Sequence, residues 1–243
     1  MAAAAGIKLA WEDFSDLSDI IPLLTRIYPN GSADVNQFHA AGGLSFVIKE
    51  LLENGLLDGS AASVWGKTIK DYASEPILKD GKLEWRAAPP NSSDLSILRP
   101  INKPHQPNGG LKMLSGNLGK AVIKISAVSE NNRVITAPAQ VFSNEAAVKI
   151  AYNNGELNKN VVVVVLAQGP QANGMPELHS LTPILANLQD KGFKVALVTD
   201  GRMSGASGKI PAAIHVFPEA VNGGNIGRIK NGDIITVDAT SGK

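Results

Sequence analysis

The chain has 243 residues, of which 44% are apolar, a composition that suits one large globular domain or two small ones. Lys and Arg number 23 against 22 Asp and Glu, so the sequence lacks the basic excess of a nucleic-acid-binding protein and favours a small-molecule ligand. It contains no cysteine, which excludes disulfides and any thiolate-bound metal or cluster held by this chain itself.

The sequence has neither a membrane span nor an export signal. No apolar run approaches the roughly 20 residues that a membrane-spanning helix requires. The opening stretch MAAAAGIKLAWEDF lacks the basic start and the long apolar centre of a signal peptide. We therefore expect a cytoplasmic protein that does not act at membranes.

The first part of the chain is predicted to be helical. A short helix is expected from Phe14 to Ile21, because Pro22 disfavours the helical conformation of the residue before it. A second helix carries apolar residues at helical spacing, namely Leu44, Val47, Ile48, Leu51 and Leu52. Its charged residues are expected to face water: Lys49, Glu50 and Glu53. Gly55 suits the C-terminal cap of this helix.

A proline-rich segment separates this helical part from the rest of the chain. Between Arg86 and Gly110 the sequence is rich in Pro, Asn and Ser, so neither a helix nor a central strand is expected to run through it. We place a domain boundary here and divide the chain into residues 1–98 and 99–243.

The second half predicts an α/β fold. Apolar runs that alternate or are β-branched indicate three strands: AVIKISAV from Ala121, RVITAPAQVF from Arg133 and VVVVVLA from Val161. A helix from Leu178 to Gln189 then connects the last of these to the strand FKVALVT, which makes a crossover between parallel strands. Ligands of such sheets bind beyond the carboxyl ends of the strands. The loops AQGPQANGMPEL and DGRMSGASGK are therefore expected to converge.

Nucleotide binding by these glycine-rich loops is disfavoured. A phosphate-binding loop would need Gly at position 203 and Ser or Thr at position 210, but the chain has Met203 and Ile210. No dinucleotide-binding fingerprint follows either strand. What remains is the hydroxyl of Ser204 beside Arg202, with the carboxylate of Glu177 on the neighbouring loop. A carboxylate can bind Mg²⁺, and a serine beside a cation can act as a base.

One loop carries a family resemblance. ALVTDGRMSGAS resembles the second signature of the dihydroxy-acid dehydratase and 6-phosphogluconate dehydratase family. Further blocks resemble that family in the same order: PNGSADVNQFHAAGGLSFVIKELLENGLL, NGGLKMLSGNLGKAVIK, APAQVFSNEAA and GPQANGMPEL. The resemblance covers nearly the whole chain. Within the family, SGASGKIPAAIHVFPEA is most similar to the 6-phosphogluconate branch.

The resemblance implies a hydro-lyase that converts a 2,3-dihydroxy acid into a 2-keto-3-deoxy acid. For the 6-phosphogluconate branch, the reaction turns 6-phospho-D-gluconate into 2-dehydro-3-deoxy-6-phosphogluconate in the Entner–Doudoroff pathway. The family uses an iron–sulfur cluster, of the 4Fe-4S type in this branch, as a Lewis acid on the departing C3 hydroxyl. A cation such as Mg²⁺ holds the substrate carboxylate and the C2 oxygen. The family also implies a homodimer.

Two residues match catalytic positions of the family. Glu177 matches the carboxylate that the C-terminal domain contributes to the cation site, and Ser204 matches the proposed base that takes the C2 proton. Each also has a structural interpretation. Ser204 could be a turn hydroxyl bonded to its own backbone, and Glu177 could be favoured near a helix start by the helix dipole.

Other residues of the matching blocks are candidates for substrate binding. Asp200 and Arg202 could contact substrate or pair with one another. Lys209 lies where the 6-phosphogluconate branch is distinctive and is expected to contact the substrate phosphate, the alternative being a solvated lysine. His215 and His39 could line the substrate site, although a core histidine and a helix-end residue are the respective alternatives.

By resemblance, the fold is the helical tail of a larger α/β domain followed by a swivelling β-barrel-like α/β domain, as in aconitase-type dehydratases. Residues 1–98 would be the end of the cluster-bearing domain and residues 99–243 the swivelling domain. Family members are longer, and their N-terminal half supplies the cluster cysteines. We therefore expect a fragment that is inactive alone and is completed by the missing N-terminal half. A dehydratase of another sugar acid or dihydroxy acid, or a non-catalytic binding or assembly module, are the alternatives.

Overall fold

The computed structural model describes residues 1–205 and 207–243. These residues form two compact units, Met1–Asp16 with Gly110–Lys243, and Leu17–Gly109. The division at residues 98 and 99 concerns the domains of the longer family proteins and stays a prediction. None of the helices in the described ranges is long and apolar enough to span a membrane.

The first half contains three helices and a hairpin among its described elements. Their bounds are α1 Trp11–Ile20, α2 Val35–Ala41, α3 Gly43–Glu53, β1 Ser74–Lys79 and β2 Lys82–Ala87. The two strands pair in antiparallel register from Ser74 opposite Ala87 to Lys79 opposite Lys82. The predicted first and second helices are thus confirmed, and the hairpin was not foreseen.

The C-terminal end of α3 follows the predicted capping by glycine. Gly55 has a φ of +69°, a left-handed conformation that costs glycine little. Its N–H donates to the carbonyl of Leu52 at 3.2 Å, and the N–H of Leu56 donates to the carbonyl of Leu51 at 2.9 Å. This pair of bonds is the Schellman motif.

The predicted orientation of α3 is wrong at two positions. Leu44 is 60% exposed, whereas Phe46 is buried in the core of this unit. The side chain of Glu50 is only 12% exposed, and its Oε2 accepts a hydrogen bond from the N–H of Ile101 at 2.9 Å. A helical repeat cannot show this, because the proline-rich segment supplies the partner of Glu50.

The proline-rich segment behaves as predicted. Between the end of β2 at Ala87 and the next strand at Leu111, the described chain contains no helix and no strand beyond isolated bridges. Leu98 of this segment is nevertheless fully buried in the core of its unit.

The second half is a mixed α/β structure built on a seven-stranded sheet. The order of its strands is β3-β4-β8-β7-β6-β5-β9. Their bounds are β3 Leu111–Gly116, β4 Gly119–Lys124, β5 Val134–Phe142, β6 Val161–Val165, β7 Val195–Thr199, β8 Ala212–Phe217 and β9 Ile234–Asp238. The helices between them are α4 Glu145–Asn153, α5 Pro170–Asn173 and α6 Leu181–Asp190. Strands β5 to β8 are parallel and the outer pairings are antiparallel.

The sheet separates two apolar cores and curls around one of them. The five valines of β6 are all fully buried, with Val162 and Val164 in one core and the other three in the second. Leu114 of β3 and Ile235 of β9 come from opposite edges of the sheet yet belong to the same core. The edges therefore approach each other on that side, while α4 and α6 cover the other.

Helix α6 begins at Leu181, three residues later than the predicted start at Leu178. The N–H of Leu178 donates instead to the carbonyl of Arg202 at 3.0 Å. That bond extends the bridge between Glu177 and Arg202, and the helix begins three residues after it. The crossover itself is confirmed, because β6 and β7 pair in parallel register from Val161 opposite Val195 to Val165 opposite Thr199.

Candidate active site

The two glycine-rich loops meet, as the parallel pairing of β6 and β7 predicts. Glu177 of the first loop and Arg202 of the second form an isolated parallel bridge. The Nε of Arg202 also donates to the carbonyl of Met175 at 3.0 Å. Backbone and side-chain bonds therefore fix the segment that carries Glu177 against the segment that carries Ser204.

Asp200 is the buried anchor of this site. It follows β7 directly, and only 1% of it is exposed. Its Oδ1 accepts from the N–H of Gln168 at 2.8 Å, and its Oδ2 accepts from the N–H groups of Ala167 at 3.2 Å and Ala220 at 3.0 Å. A carboxylate with three backbone donors holds the loops after β6, β7 and β8 together.

The suggested pairing of Asp200 with Arg202 is wrong. The ion-pair partner of Arg202 is Glu177, with 3.7 Å between Nη1 and Oε2. Asp200 instead bonds backbone N–H groups. Whether Asp200 also contacts substrate stays a prediction, as does a substrate contact of Arg202.

Glu177 is accessible enough to bind a ligand. Its side chain is 38% exposed and that of Arg202 is 42% exposed, so solvent screens their attraction. Within residues 1–205 and 207–243, no three His, Asp or Glu side chains are grouped to hold a metal ion. A carboxylate oxygen is a suitable ligand for Mg²⁺. Glu177 therefore fits as one ligand of a cation site that needs further ligands from elsewhere.

An iron–sulfur cluster does not fit this chain. Such clusters are held by cysteine thiolates, and the sequence contains none. The ligands of any cluster would have to come from outside these 243 residues.

Ser204 lies half-buried in the loop after β7. Its carbonyl accepts a hydrogen bond from the N–H of Ser207 at 2.9 Å. The loop is tied to α6 by the hydroxyls of Ser207 and Thr182, which lie 2.5 Å apart. The buried side chain of Met203 anchors the other flank of Ser204 in the core.

His215 and Lys209 lie in the same compact unit as Glu177 and Ser204. His215 has a φ of +56°, and its N–H donates to the carbonyl of Gly201 at 2.9 Å, so the chain after β7 is bound to β8 there. Burial lowers the pKa of the half-buried His215 imidazole, and the positive charge of Arg202 lowers it further. The Lys209 side chain is exposed, as contact with a phosphate requires.

His39 belongs to the other unit. It is exposed near the end of α2 and lines a cavity of about 340 Å³ together with Glu75 and Arg86. Its expected role in the substrate site stays a prediction.

Two polar residues near the loops were not foreseen. The Nζ of Lys124, at the end of β4, donates to the carbonyl of Gly205 at 3.0 Å. The buried carboxylate of Glu219 accepts from the N–H groups of Gln171 and Ala172 at the start of α5. Glu219 stands in the quoted stretch HVFPEA, whereas Lys124 occupies an outward position of an alternating strand, where a lysine is ordinary.

Comparison with known proteins bears directly on this site. The C-terminal model of the dihydroxy-acid/6-phosphogluconate dehydratase family matches residues 96–243, and its N-terminal model matches residues 1–72. The chain belongs to this family. The matched C-terminal region contains both loops of the candidate site.

Relatives within this dehydratase family cover the whole chain. It is 54% identical to the phosphogluconate dehydratase of Pseudomonas aeruginosa over 243 residues, which are 100% of this chain and 40% of that protein. It is 56% identical to the phosphogluconate dehydratase of Rhizobium meliloti over 244 residues, with the same coverage. Identity to the dihydroxy-acid dehydratase of Sulfurisphaera tokodaii is 38% over 246 residues, which are 100% of this chain and 41% of that protein. The chain thus spans about 40% of the length of these relatives.

Proposed function

We propose that this chain is the C-terminal portion of a hydro-lyase that dehydrates 6-phospho-D-gluconate to 2-dehydro-3-deoxy-6-phosphogluconate. The observation that carries this proposal is the difference in identity across the full chain. Phosphogluconate dehydratases from two bacteria are 54% and 56% identical to it, whereas a dihydroxy-acid dehydratase is 38% identical. The reaction belongs to the Entner–Doudoroff pathway of gluconate metabolism.

Ser204 is the proposed base. In its alkoxide form, the Ser204 oxygen takes the proton from C2 of the substrate as the C3 hydroxyl departs as hydroxide. The resulting enol then loses its O–H proton and gains one at C3, which gives the 2-keto acid. The proton from C2 and the hydroxyl from C3 together make the water that is lost. A half-buried serine between a core-packed Met203 and a bonded Gly205 suits this task, because a base must be held near the proton that it removes.

Glu177 is the proposed cation ligand of this chain. A bound Mg²⁺ would polarise the substrate oxygens and make the C2 proton more acidic. The contribution of Glu177 is one accessible carboxylate, held by its bridge to Arg202 on the loop that carries Ser204. Arg202, Lys209, His215, Asp200 and His39 are the proposed substrate-binding residues, with Lys209 directed to the phosphate.

The remaining features concern the longer protein. We propose that residues 99–243 form a swivelling β-barrel-like domain of the aconitase type, which the curled seven-stranded sheet supports. The 4Fe-4S cluster would be held by the N-terminal half, which this chain lacks. A cytoplasmic homodimer remains a prediction.

A second substrate class is the alternative. The 38% identity to a dihydroxy-acid dehydratase extends over the whole chain, so a different sugar acid or dihydroxy acid could occupy the same loops. The mechanism would be unchanged, since it uses only the carboxylate end of the substrate.

The test is anaerobic keto-acid formation by the longer protein that contains this chain, with 6-phosphogluconate and with non-phosphorylated dihydroxy acids. We expect turnover of 6-phosphogluconate and a loss of about a thousandfold in kcat for Ser204→Ala, with substrate binding retained. Ser129→Ala is the matched control, because Ser129 is exposed and makes no helix-capping side-chain bond. Turnover only of a non-phosphorylated acid would contradict the substrate, and an active Ser204→Ala would contradict the base.

A further inference from the structure

Lys124 is the last residue of β4, and its side chain reaches the loop that carries Ser204. Its Nζ donates a hydrogen bond of 3.0 Å to the carbonyl of Gly205, which is 81 residues further along the chain and directly follows Ser204. The two segments belong to the same compact unit. No local sequence pattern brings them together, since the contact depends on the pairing of β4 with β8.

The ammonium group of Lys124 lies in a costly environment. The residue is half-buried, and burial lowers the pKa of its amine. In the described part of the chain, no carboxylate contributes to that pKa by charge attraction. Lys120 on the same strand contrasts with it, because its ammonium forms an ion pair with Glu12 at the surface. Burial takes part of the water from this charge. The hydrogen bond to the Gly205 carbonyl compensates for some of that loss.

Gly205 is exposed, so packing restrains it little. Apart from Gly205 and its two chain neighbours, no heavy atom of the described residues lies within 4 Å of the position that a Cβ on Gly205 would occupy. The neighbours on both sides are fixed in other ways, Met203 by its burial in the core and Ser207 by its hydroxyl contact with Thr182. The bond from Lys124 therefore restrains the carbonyl one residue beyond Ser204, in addition to the bond that the Ser204 carbonyl accepts from the N–H of Ser207.

We propose that Lys124 is a positioning residue, whose ammonium group tethers the Gly205 carbonyl and thereby holds the Ser204 hydroxyl in place for proton removal. The catalytic part of this inference rests on the proposed function, whereas the tether itself does not. Lys124 acts through the loop rather than on the substrate. Its loss should therefore lower kcat and leave KM nearly unchanged.

The test compares Lys124→Met, Lys124→Arg and the control Lys120→Met. In the 243-residue chain, amide hydrogen exchange is followed over residues 201–211, where the Ser207 N–H that bonds the Ser204 carbonyl is a direct reporter. We expect Lys124→Met to speed exchange there by about tenfold, because a hydrogen bond from a charged group is lost. Exchange elsewhere should stay as in the parent chain, which shows that the variant is folded. Lys124→Arg should restore most of the protection.

In the longer protein, Lys124→Met should lower kcat about tenfold with KM within about twofold, since small misplacements of a catalytic group are costly. Lys124→Arg should recover most of the rate, and Lys120→Met should change neither quantity. Unchanged exchange in Lys124→Met would overturn the tether. Faster exchange with an unchanged kcat would overturn the positioning role. A longer protein that dehydrates no acid would overturn the proposed function and the catalytic part of this inference, while the exchange result would still decide the tether.

Discussion

The carboxylate of Glu177 lies 3.7 Å from the guanidinium of Arg202, and the backbones of these two residues form a parallel bridge. Main chain and side chain thus link the loop after β6 to the loop after β7. The ion pair is too exposed to contribute much stability. The ion pair instead helps to hold the accessible carboxylate of Glu177 beside the loop that carries Ser204.

The first prediction concerns the cation. Replacing Glu177 by Gln removes the charge of the ligand and keeps its shape. In the longer protein we expect the Mg²⁺ concentration for half-maximal turnover to rise about tenfold or more, as measured by titration of the metal-depleted protein. A direct calorimetric titration with Mg²⁺ should show the same weakening. Glu130→Gln, at an exposed position, is the control and should behave as the parent protein. Equal Mg²⁺ requirements for Glu177→Gln and parent would remove Glu177 from the cation site.

The second prediction concerns the stability of the loops. In Asp200→Asn, the amide nitrogen must face at least one backbone N–H that now bonds a carboxylate oxygen. A buried donor is then left without an acceptor, and we expect a loss of about 2–4 kcal/mol in the free energy of unfolding. Urea denaturation of the 243-residue chain measures it. Asp190→Asn changes an exposed carboxylate at the end of α6 and should alter stability little. A loss no larger than that of Asp190→Asn would show that Asp200 is not an anchor.

The third prediction concerns the loss of folding stability at acid pH. Burial lowers the pKa of His215 in the folded chain, so the unfolded chain binds more protons once the pH falls below about 6.5. The contribution of His215 to the free energy of unfolding is therefore fully present above that pH, and it is lost as the pH falls through the folded pKa. His105 acts in the same direction, since burial lowers its pKa as well.

The variant His215→Asn should reduce the decrease of the urea midpoint between pH 7.5 and pH 5.5. Asparagine suits the φ of +56° at this position, so the comparison concerns the slope with pH rather than stability itself. His179→Asn changes an exposed histidine and should keep the slope of the parent chain. An undiminished slope in His215→Asn would exclude this imidazole as a source of acid sensitivity.

The fourth prediction concerns the substrate phosphate. If Lys209 contacts it, Lys209→Ala should raise KM for 6-phosphogluconate about tenfold and leave kcat nearly unchanged, because a charge-assisted hydrogen bond is lost. Steady-state kinetics of the longer protein measure both constants, with exposed Lys149→Ala as the control. The KM for non-phosphorylated gluconate should be the same in Lys209→Ala and in Lys149→Ala. An unchanged KM for 6-phosphogluconate in Lys209→Ala would exclude Lys209 as a contact of the substrate phosphate.

The sequence predicts the centre of the sheet well. The run of five valines is typical of a strand buried on both faces, and a helix between two such strands favours parallel pairing, as the structure has it. The meeting of Glu177 and Arg202 follows, since both lie just beyond the carboxyl ends of adjacent strands. These conclusions needed only periodicity and the geometry of a crossover.

Other features depend on segments that are distant in sequence. The three donors to Asp200 come from two loops, one of which lies after β8. Lys124 meets Gly205 only because β4 pairs with β8. Likewise, the partner of Glu50 is a backbone N–H in the proline-rich segment, so a helical repeat placed that carboxylate in water. A local pattern carries no information about such contacts.

The bonds that hold Asp200 do not depend on which side chains stand at the donor positions. Its partners are backbone N–H groups, so the side chains at positions 168 and 220 take no part in these bonds, and among natural residues only proline would abolish a donor. Position 167 accepts fewer residue types, because its φ of +57° favours Gly, Asn or Asp over β-branched residues. Position 168 is limited in another way, because the buried Gln168 side chain bonds the carbonyls of Ser143 and Leu166 and the amide of Asn173. One buried carboxylate thus joins three loops through main-chain bonds that do not depend on the donor side chains.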